Sequence, residues 1–376
     1  MKTIESILDK ALNSQEFLNI DDAEVLFGAE DNQSLDMIKN AADSLRSRIV
    51  GDKVSYIKNL NVNFTNICDS VCLFCGFRRS EKDQGTYIID LDELEERIYN
   101  AKKDDISEIC LQGGLYSKLK IKGLKSKSFD DMYAELLSWV KNITPDVHLH
   151  AYSPEEVSFV SQMSNKPINY VLEKFKDHGL GSMPGTAAEI LVDEVRNRIC
   201  PKKINTSEWV DIISSAHRLG IPSTATIMYG HIESNRNRAQ HLDVLRQLQM
   251  NTSGFSEFVP LAFVSSKTLL NDKIKPLKSI DRLKMLAISR LYFKDLLPNI
   301  QASWVKQGVE ETAESLDWGV NDIGGTLGNE QITYCAGGNF GRSMSAQDLV
   351  DIIKSKSKEP VLRDTLYNNL EKQLVY

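Results

Sequence analysis

Three cysteines in one short window are the strongest chemical signal in the sequence. Cys68, Cys72 and Cys75 form a C-x-x-x-C-x-x-C motif directly after the β-rich run 60–65. A tetrahedral zinc site normally takes four ligands, and the sequence has no second C-x-x-C, so zinc is the weaker interpretation. Three thiolates on a 4Fe-4S cluster leave one iron without a protein ligand, and that iron is free to bind a small molecule. The remaining cysteines are isolated in the chain: Cys110, Cys200 and Cys335.

The elements that must position this triplet alternate between short β-rich runs and amphipathic helices, which is typical of βαβ units. Eight runs are predicted as strands: 60–65, 108–112, 147–152, 180–183, 224–229, 255–260, 300–304 and 320–323. Eight such units fit an α/β fold, a (β/α)8 TIM-like barrel, in which the loops after the strands carry the chemistry. A doubly wound open sheet is the alternative, but no G-x-G-x-x-G follows the first strand.

The segments flanking the barrel are predicted to be helical. Apolar residues recur at one-face helical spacing near the N-terminus, so residues 1–50 are predicted to form a helical cap. We assign the barrel to residues 51–340 and a C-terminal helical segment, packed on the barrel, to residues 341–376. The sequence thus predicts a single catalytic domain.

Composition and charge exclude several classes of protein. The formal net charge of -7 argues against a nucleic-acid-binding surface, because phosphate contacts are made by clustered Lys and Arg. No apolar run approaches the roughly 18 residues that suggest a membrane span, and the first residues contain no long apolar segment. Six cysteines among 376 residues are too few for a disulfide scaffold. We expect a cytoplasmic protein with no nucleic-acid or membrane partner.

The triplet after a first barrel strand, with Phe74 just before the last cysteine, resembles the radical S-adenosylmethionine (SAM) superfamily. The resemblance implies that Cys68, Cys72 and Cys75 bind three irons of a 4Fe-4S cluster and that the open fourth iron binds SAM. It also implies a one-electron reductant, because SAM is cleaved reductively to methionine and a 5'-deoxyadenosyl radical. The expected role of the barrel is to exclude water and competing hydrogen donors.

The same resemblance suggests which residues contact SAM. Gln112, Gly113 and Gly114 follow the second predicted strand, where a Gly-Gly stretch in radical SAM enzymes binds the SAM amino group; a plain tight turn is the alternative. Glu189 is a further candidate, although a carboxylate can simply favour a helix N-terminus. Arg196 is a candidate clamp for the carboxylate of SAM or of a substrate, with a surface ion pair as the alternative. Phe74 completes the expected SAM contacts.

Five further stretches resemble one branch of the superfamily, the FO synthase and menaquinone-pathway group: 148–156, 179–190, 228–233, 255–260 and 321–326. Residues 184–189, Pro-Gly-Thr-Ala-Ala-Glu, most resemble the 4-hydroxybenzyl-transferring subunit of FO synthase. The resemblance implies transfer of the 4-hydroxybenzyl group of L-tyrosine to 5-amino-6-(D-ribitylamino)uracil on the route to the deazaflavin coenzyme F420. Only one cysteine triplet is present, so a separate cyclising FO synthase partner enzyme is expected.

Substrate contacts are expected from strand ends on the catalytic face of the barrel. His150 and Tyr152 share one parity on the third predicted strand, His231 follows the fifth, and Asp322 lies at the eighth. Buried histidines with satisfied hydrogen bonds and a loop-capping Asp would look the same in the sequence. The functional alternatives are a menaquinone-pathway (futalosine) radical SAM enzyme and a non-catalytic iron-sulfur or zinc protein.

Overall fold

The computed structural model describes residues 3–368, and three helices come first in the chain. They are α1 (Ile4–Asn13), α2 (Ile20–Phe27) and α3 (Asn32–Val50). Each begins at a polar N-cap, Thr3, Asn19 or Asp31, whose side chain accepts a hydrogen bond from the first turn. Their apolar faces are buried in the main hydrophobic core of the protein. The N-terminal helices therefore pack on the barrel rather than forming a separate core.

The strands of the barrel are parallel. They are β1 (Lys53–Ile57), β2 (Asn59–Asn63), β3 (Glu108–Gln112), β4 (His148–Ala151), β5 (Ser223–Tyr229), β6 (Phe255–Ala262), β7 (Asp322–Gly325) and β8 (Glu359–Leu362). The intervening helices are α4 (Leu91–Lys102), α5 (Phe129–Ile143), α6 (Pro154–Ser164), α7 (Ile168–Asp177), α8 (Asp193–Ile199), α9 (Thr206–Arg218), α10 (Asn235–Thr252), α11 (Ser279–Phe293), α12 (Trp304–Ser315), α13 (Ile332–Cys335) and α14 (Ala346–Ser355), with a 3-10 turn at Asn271–Lys273.

Two predicted strands are reduced to single bridges that nevertheless close the barrel. Ser182 bridges to β4 while Met183 bridges to β5. In the same way Ile300 bridges to β6 and Gln301 to β7. β7 pairs with β1, and the backbone N–H of Asn61 in β2 donates to the carbonyl of Leu327, 2.8 Å away. The predicted (β/α)8 barrel is confirmed, and the predicted strands 180–183 and 300–304 contribute only isolated bridges to it.

The first strand position of the barrel is longer than predicted, because β1 and β2 together occupy it. The C-terminal segment is not helical throughout. The predicted run 60–65 is extended at its N-terminal side by β1, which is joined to β2 through Lys58. After α14 the chain forms β8, which pairs in parallel with β1. A four-residue run such as Glu359–Leu362 has too little periodicity to be predicted as a strand. The remainder of the predicted helical segment, 369–376, lies outside the described residues.

The barrel lumen encloses a cavity with many polar side chains in its lining, unlike the packed lumen of an ordinary TIM barrel. Alternate residues of one strand face the same side, and on β2 and β3 these include Asn61, Asn63, Glu108 and Gln112. The helices pack apolar side chains against the outer face of the barrel strands. Within residues 3–368, no helix combines the length and hydrophobicity that a membrane span requires. The fold therefore directs polar side chains inward, where a ligand can meet them.

Candidate active site

A cavity of about 440 Å³ lies within the barrel, lined by loops after the strands and by lumen-facing side chains. This volume is in the range of small-molecule sites, roughly 300–1,000 Å³. Cys68, Cys72, Cys75 and Phe74 all line it. The structure thus brings the three triplet cysteines to one wall of one cavity.

The cysteine loop is held in place by its own backbone. The N–H of Cys75 donates to the carbonyl of Cys72 at 3.2 Å, and the N–H of Cys68 donates to the carbonyl of Arg79 at 3.1 Å. Two backbone N–H groups point at sulfur atoms: Leu115 N lies 3.4 Å from Cys68 Sγ, and Arg78 N lies 3.3 Å from Cys75 Sγ. Donors aimed at sulfur stabilise thiolates.

Burial raises the pKa of the Cys72 thiol to about 12 and raises the pKa of Cys68. The Lys203 ammonium opposes the rise in the pKa of both thiols. Without a bound metal these thiols hold their protons at neutral pH, whereas a bound metal deprotonates a coordinating thiol. All six cysteines are free, so the triplet sulfurs are not in disulfides. The donor set of three cavity-facing thiols with N–H groups aimed at two of them fits an iron-sulfur cluster.

Gly113 and Gly114 line the cavity, and Gly113 packs closely against Phe64 while Gly114 packs closely against the cysteine loop. A Cβ on Gly114 would lie 2.1 Å from the carbonyl oxygen of Ile67, and one on Gly113 would lie 2.3 Å from the ring of Phe64. Gln112, beside them, donates from Nε2 to the hydroxyl of Thr186 at 2.8 Å. Only glycine permits β3 to end this close to the loop that carries Cys68.

Glu189 lines the cavity in the segment between the Met183 bridge and α8. Its carboxylate forms a 2.8 Å ion pair with Lys203, and both side chains are largely buried. The Lys203 ammonium lies 5.6 Å from the ring centroid of Phe74, within cation–π range. Ala187 and Glu189 have φ values of 63° and 44°, a left-handed conformation that non-glycine residues rarely adopt. Such backbone strain is characteristic of functional sites.

Arg196 does not line the cavity, in contrast to its expected role as a carboxylate clamp. Its guanidinium is 2% exposed and donates to main-chain carbonyls, including those of Ala187, Ala188 and Ile204. The residue therefore holds the strained segment around Glu189 in shape. The sequence could not distinguish this role, because an Arg on α8 is equally compatible with a ligand contact.

Tyr152 is buried behind the barrel wall rather than in its lumen. Its φ of 55° ends the alternation of β4, so its side chain leaves the face on which His150 lies. The hydroxyl donates to the carbonyl of Tyr133 at 2.8 Å, and the ring packs against Phe64 and Phe175. Tyr152 was expected to face the lumen with His150, but it lies outside β4, where the alternation of side chains no longer applies.

His231 and Asp322 also lie outside the cavity wall. The Nδ1 of His231 accepts from the N–H of Ile232 at 2.7 Å, and its Nε2 lies 3.0 Å from the carbonyl of Met228. Burial lowers the pKa of His231, which keeps the ring neutral although Glu233 is 3.1 Å away. Asp322 is fully buried and binds Arg363 at 2.5 Å. Both residues support the site from behind.

His150 is the one expected substrate contact that reaches the cavity. The hydroxyl of Ser182 lies 2.7 Å from its Nδ1. Burial lowers the pKa of His150 to about 4, although the nearby carboxylate of Glu108 opposes the shift. The imidazole is therefore neutral at neutral pH and can donate or accept one hydrogen bond at its remaining nitrogen.

Several cavity residues were not predicted from the sequence. Lys306 lines the cavity, and its ammonium makes no hydrogen bond or ion pair with any other described residue. Burial lowers the pKa of Lys306, and Glu330 and Glu189 oppose the shift. Burial also raises the pKa of Glu156, which accepts from the N–H of Gly113 at 2.9 Å, to about 7. Lone Lys and Glu residues carry no spacing signal that could have identified them.

The floor of the cavity contains a second group of charged residues that the sequence did not reveal. Arg363, from the segment after β8, lines the floor together with Glu257, and the two lie 3.2 Å apart. Burial raises the pKa of Glu257 to about 7, while Arg363 opposes the shift. Tyr367 donates to the same carboxylate at 2.5 Å. Because these contacts join residues more than 100 positions apart, only the fold reveals them.

Comparison with known proteins identifies the family. The Radical SAM superfamily model matches residues 62–245, and the CofH/MqnC C-terminal region model matches residues 252–374. Among solved structures, methylornithine synthase (PylB) superimposes with a TM-score of 0.71 at 17% identity, covering 95% of this chain and 97% of that one. The FeFe-hydrogenase maturase HydG from Carboxydothermus hydrogenoformans gives 0.73 at 15% identity, covering 97% and 82%. These two likenesses establish the barrel fold.

Sequence relatives are much closer. A protein of Methanocaldococcus jannaschii is 45% identical over 349 residues, covering 91% of this chain and 94% of its own. One of Methanothermobacter thermautotrophicus is 42% identical over 368 residues, covering 97% of both chains. Both are named 5-amino-6-(D-ribitylamino)uracil--L-tyrosine 4-hydroxyphenyl transferase. With the cysteine triplet at the cavity of a closed barrel, the chain belongs to the radical SAM superfamily and, within it, to the 5-amino-6-(D-ribitylamino)uracil--L-tyrosine 4-hydroxyphenyl transferase family.

Proposed function

We propose that this protein transfers the 4-hydroxybenzyl group of L-tyrosine to C5 of 5-amino-6-(D-ribitylamino)uracil in a SAM-dependent radical reaction. The observation that carries the proposal is the 42–45% identity to named transferases over at least 91% of the chain. The cavity supports it, since it joins a cysteine-lined mouth to a polar lumen. The coproducts are 2-iminoacetate, methionine and 5'-deoxyadenosine.

The thiolates of Cys68, Cys72 and Cys75 would hold a 4Fe-4S cluster, and three protein ligands would leave one iron available to SAM. When bound and reduced, the cluster and SAM would supply the radical chemistry that removes a hydrogen atom from the tyrosine amino group. The N–H groups of Leu115 and Arg78 stabilise the thiolates through their contacts with sulfur. The protein's part is to hold the reacting groups together and to keep water away.

SAM binds beside the cysteine loop, against Phe74, Gln112, Gly113, Gly114 and Glu189. All five line the cavity, and the two glycines and Phe74 are next to the cysteines. The buried Lys203–Glu189 pair carries opposite charges that would suit the amino and carboxylate groups of SAM. Arg196 contributes indirectly, by positioning the backbone around Glu189.

Tyrosine and the aminouracil occupy the lumen beyond SAM. Lys306 has an ammonium without an ion partner among the described residues, which suits the carboxylate of tyrosine. His150, neutral and facing the lumen, is suited to a neutral polar group of either substrate. Tyr152, His231 and Asp322 lie behind the cavity wall, where they support the residues that line it and do not contact substrate.

The bond changes balance as follows. The Cα–Cβ bond of tyrosine breaks, a bond forms between the benzylic carbon and C5 of the uracil, and the amino-acid remainder leaves as 2-iminoacetate. One electron enters with SAM cleavage, and one electron and one proton leave as the adduct is completed. A one-electron reductant is therefore required. Cyclisation of the adduct requires a second radical SAM site, which we assign to a separate partner enzyme.

Anaerobic reconstitution followed by turnover tests the proposal. With SAM, dithionite and tyrosine, mass spectrometry should detect the 4-hydroxybenzyl adduct only when 5-amino-6-(D-ribitylamino)uracil is present. A futalosine-type substrate should be inert, and Cys72→Ser should give neither adduct nor 5'-deoxyadenosine. Product from the futalosine-type substrate alone would assign the protein to the menaquinone pathway. A reconstituted protein that contains zinc or iron but never cleaves SAM would indicate a non-catalytic protein.

A further inference from the structure

Strand β2 contains three asparagines at alternate positions, Asn59, Asn61 and Asn63. Residues two apart on a strand point to the same side, and all three line the cavity. Asparagine is depleted in β-strands, so three of them on the lumen face of one strand call for a chemical explanation. The three do not share the same environment.

Asn59 is used by the fold itself. Its Nδ2 donates to the carboxylate of Glu108 at 3.0 Å, and its Oδ1 accepts from the N–H of Leu327 at 2.8 Å. Both ends of this carboxamide are therefore satisfied by the protein. Asn59 closes the barrel between β2 and the segment after β7, which is a structural role.

Asn61 and Asn63 have no such role. Within the described residues, neither carboxamide makes a hydrogen bond to another protein group, although Asn63 is only 7% exposed. Across the strand pair, Asn61 faces Cys110 and Asn63 faces Gln112. The Nε2 of Gln112 is already bonded to Thr186 at 2.8 Å. A lumen-facing amide that the protein leaves unpaired is available to water or to a ligand that enters the cavity.

We infer that Asn61 and Asn63 bind the pyrimidine ring of the aminouracil substrate. This inference rests on the proposed function and names the residues that recognise its second substrate. A carboxamide presents one acceptor and two donors in a plane, which matches the alternating N–H and C=O groups of a uracil edge. Two asparagines that are two positions apart on a strand lie about 7 Å apart, so their carboxamides can reach opposite edges of one ring.

The charged residues and the neutral amides of the cavity suit different substrates. Tyrosine carries a carboxylate and an amine, and charged partners for these groups are present in Lys306 and in the acidic residues of the wall. The uracil ring is neutral and polar, which suits neutral amides. Asn63 is also the last residue of β2, before the chain continues to Cys68, so a ring bound there lies between the cysteine loop and the floor.

Leucine substitutions test the inference, since Leu has the shape of Asn without its polar atoms. For Asn61→Leu and Asn63→Leu in the reconstituted protein with SAM, calorimetry should show binding of 5-amino-6-(D-ribitylamino)uracil weakened about tenfold or more. 5,6-Diaminouracil, which lacks the ribityl chain, should be weakened equally, while tyrosine binding should stay within about twofold. The melting temperature should be unchanged or higher, because no protein partner is lost. Asn59→Leu is the matched control and should lower the melting temperature.

Three results would overturn the inference: unchanged binding of both uracils, weakened binding of the ribityl compound alone, or a loss of melting temperature equal to that of Asn59→Leu. The first shows that the pair has no ligand role, the second that it contacts the sugar chain, and the third that its role is structural. The wild-type protein distinguishes this inference from the proposed function. A wild type that makes no adduct refutes the function, whereas an active wild type with tightly binding variants refutes only the role of the pair.

Discussion

Replacement of Arg196 by methionine distinguishes a structural arginine from a SAM clamp. The guanidinium donates to the carbonyls of Ala188 and Ile204 at 2.5 and 2.6 Å, and more weakly to that of Ala187. Methionine fills much of the same volume but donates no hydrogen bond. Its introduction would leave these buried carbonyls without their partner.

The expected loss of stability follows from those contacts. A hydrogen bond involving a charged group contributes about 1.5–3 kcal/mol, so loss of the two short ones lowers the free energy of unfolding by about 3–6 kcal/mol. That is a large part of a typical stability of about 5–15 kcal/mol. The segment with left-handed φ at Ala187 and Glu189 should also relax, because its main-chain anchor is gone.

Urea unfolding of the anaerobic protein measures this change, with SAM affinity recorded in parallel. Arg198→Met is the matched control, because Arg198 is on the same helix and is exposed. We expect Arg196→Met to be much less stable than Arg198→Met. If the two were equally stable and Arg196→Met alone lost SAM binding, the guanidinium would be a ligand contact and the assignment made here would be refuted.

The remaining predictions concern the cluster, the lumen and the loop after β5. Cys72→Ser should abolish iron loading, whereas Cys200→Ser should leave iron content and SAM cleavage intact; the reverse in iron analysis would contradict the triplet assignment. Lys306→Met should raise the KM for tyrosine while SAM binding stays native, and an unchanged KM would remove the lysine from the substrate site. His231→Ala should lower the melting temperature yet keep a native ratio of adduct to 5'-deoxyadenosine, because its ring is buried against main-chain groups and Glu233 and does not line the cavity; a native melting temperature with an altered ratio would place His231 in the substrate pocket. The pKa of His150 falls from 6.5 to about 4 on folding, so the unfolded chain binds more protons between those values and stability should fall as pH drops through that window. His150→Gln should flatten this slope, and an equal slope in both proteins would count against the neutral buried ring.

The sequence predicted the barrel and the cysteine loop because both depend on local patterns. Alternating strands and helices are visible in periodicity, and a triplet of cysteines is visible in spacing. The segments around Ser182 and Ile300 were predicted as strands, but in the structure only one or two residues of each form β-bridges to the neighbouring strands. Strand β8 was missed because only its pairing with β1 defines it.

The substrate residues were predicted less well, because side-chain direction depends on backbone details that periodicity does not contain. The side chain of Tyr152 lies outside the lumen because Tyr152 itself has a left-handed φ. Arg196 faces main-chain carbonyls rather than the cavity. Lys306 and Asn63 reach the cavity from elements in which no motif marked them. Their importance becomes visible only when a buried polar group is found without a partner.

Isotope-labelled tyrosine shows whether the protein cleaves the Cα–Cβ bond and transfers the 4-hydroxybenzyl group. The reconstituted protein is supplied with SAM, reductant, the ribitylaminouracil and tyrosine that carries 13C either in the ring or at Cα. We expect ring label in the adduct, Cα label in 2-iminoacetate or the glyoxylate formed from it, and one adduct for each 5'-deoxyadenosine. Ring and Cα label retained together in one product, or 5'-deoxyadenosine formed while both labels stay in intact tyrosine, would contradict this transfer.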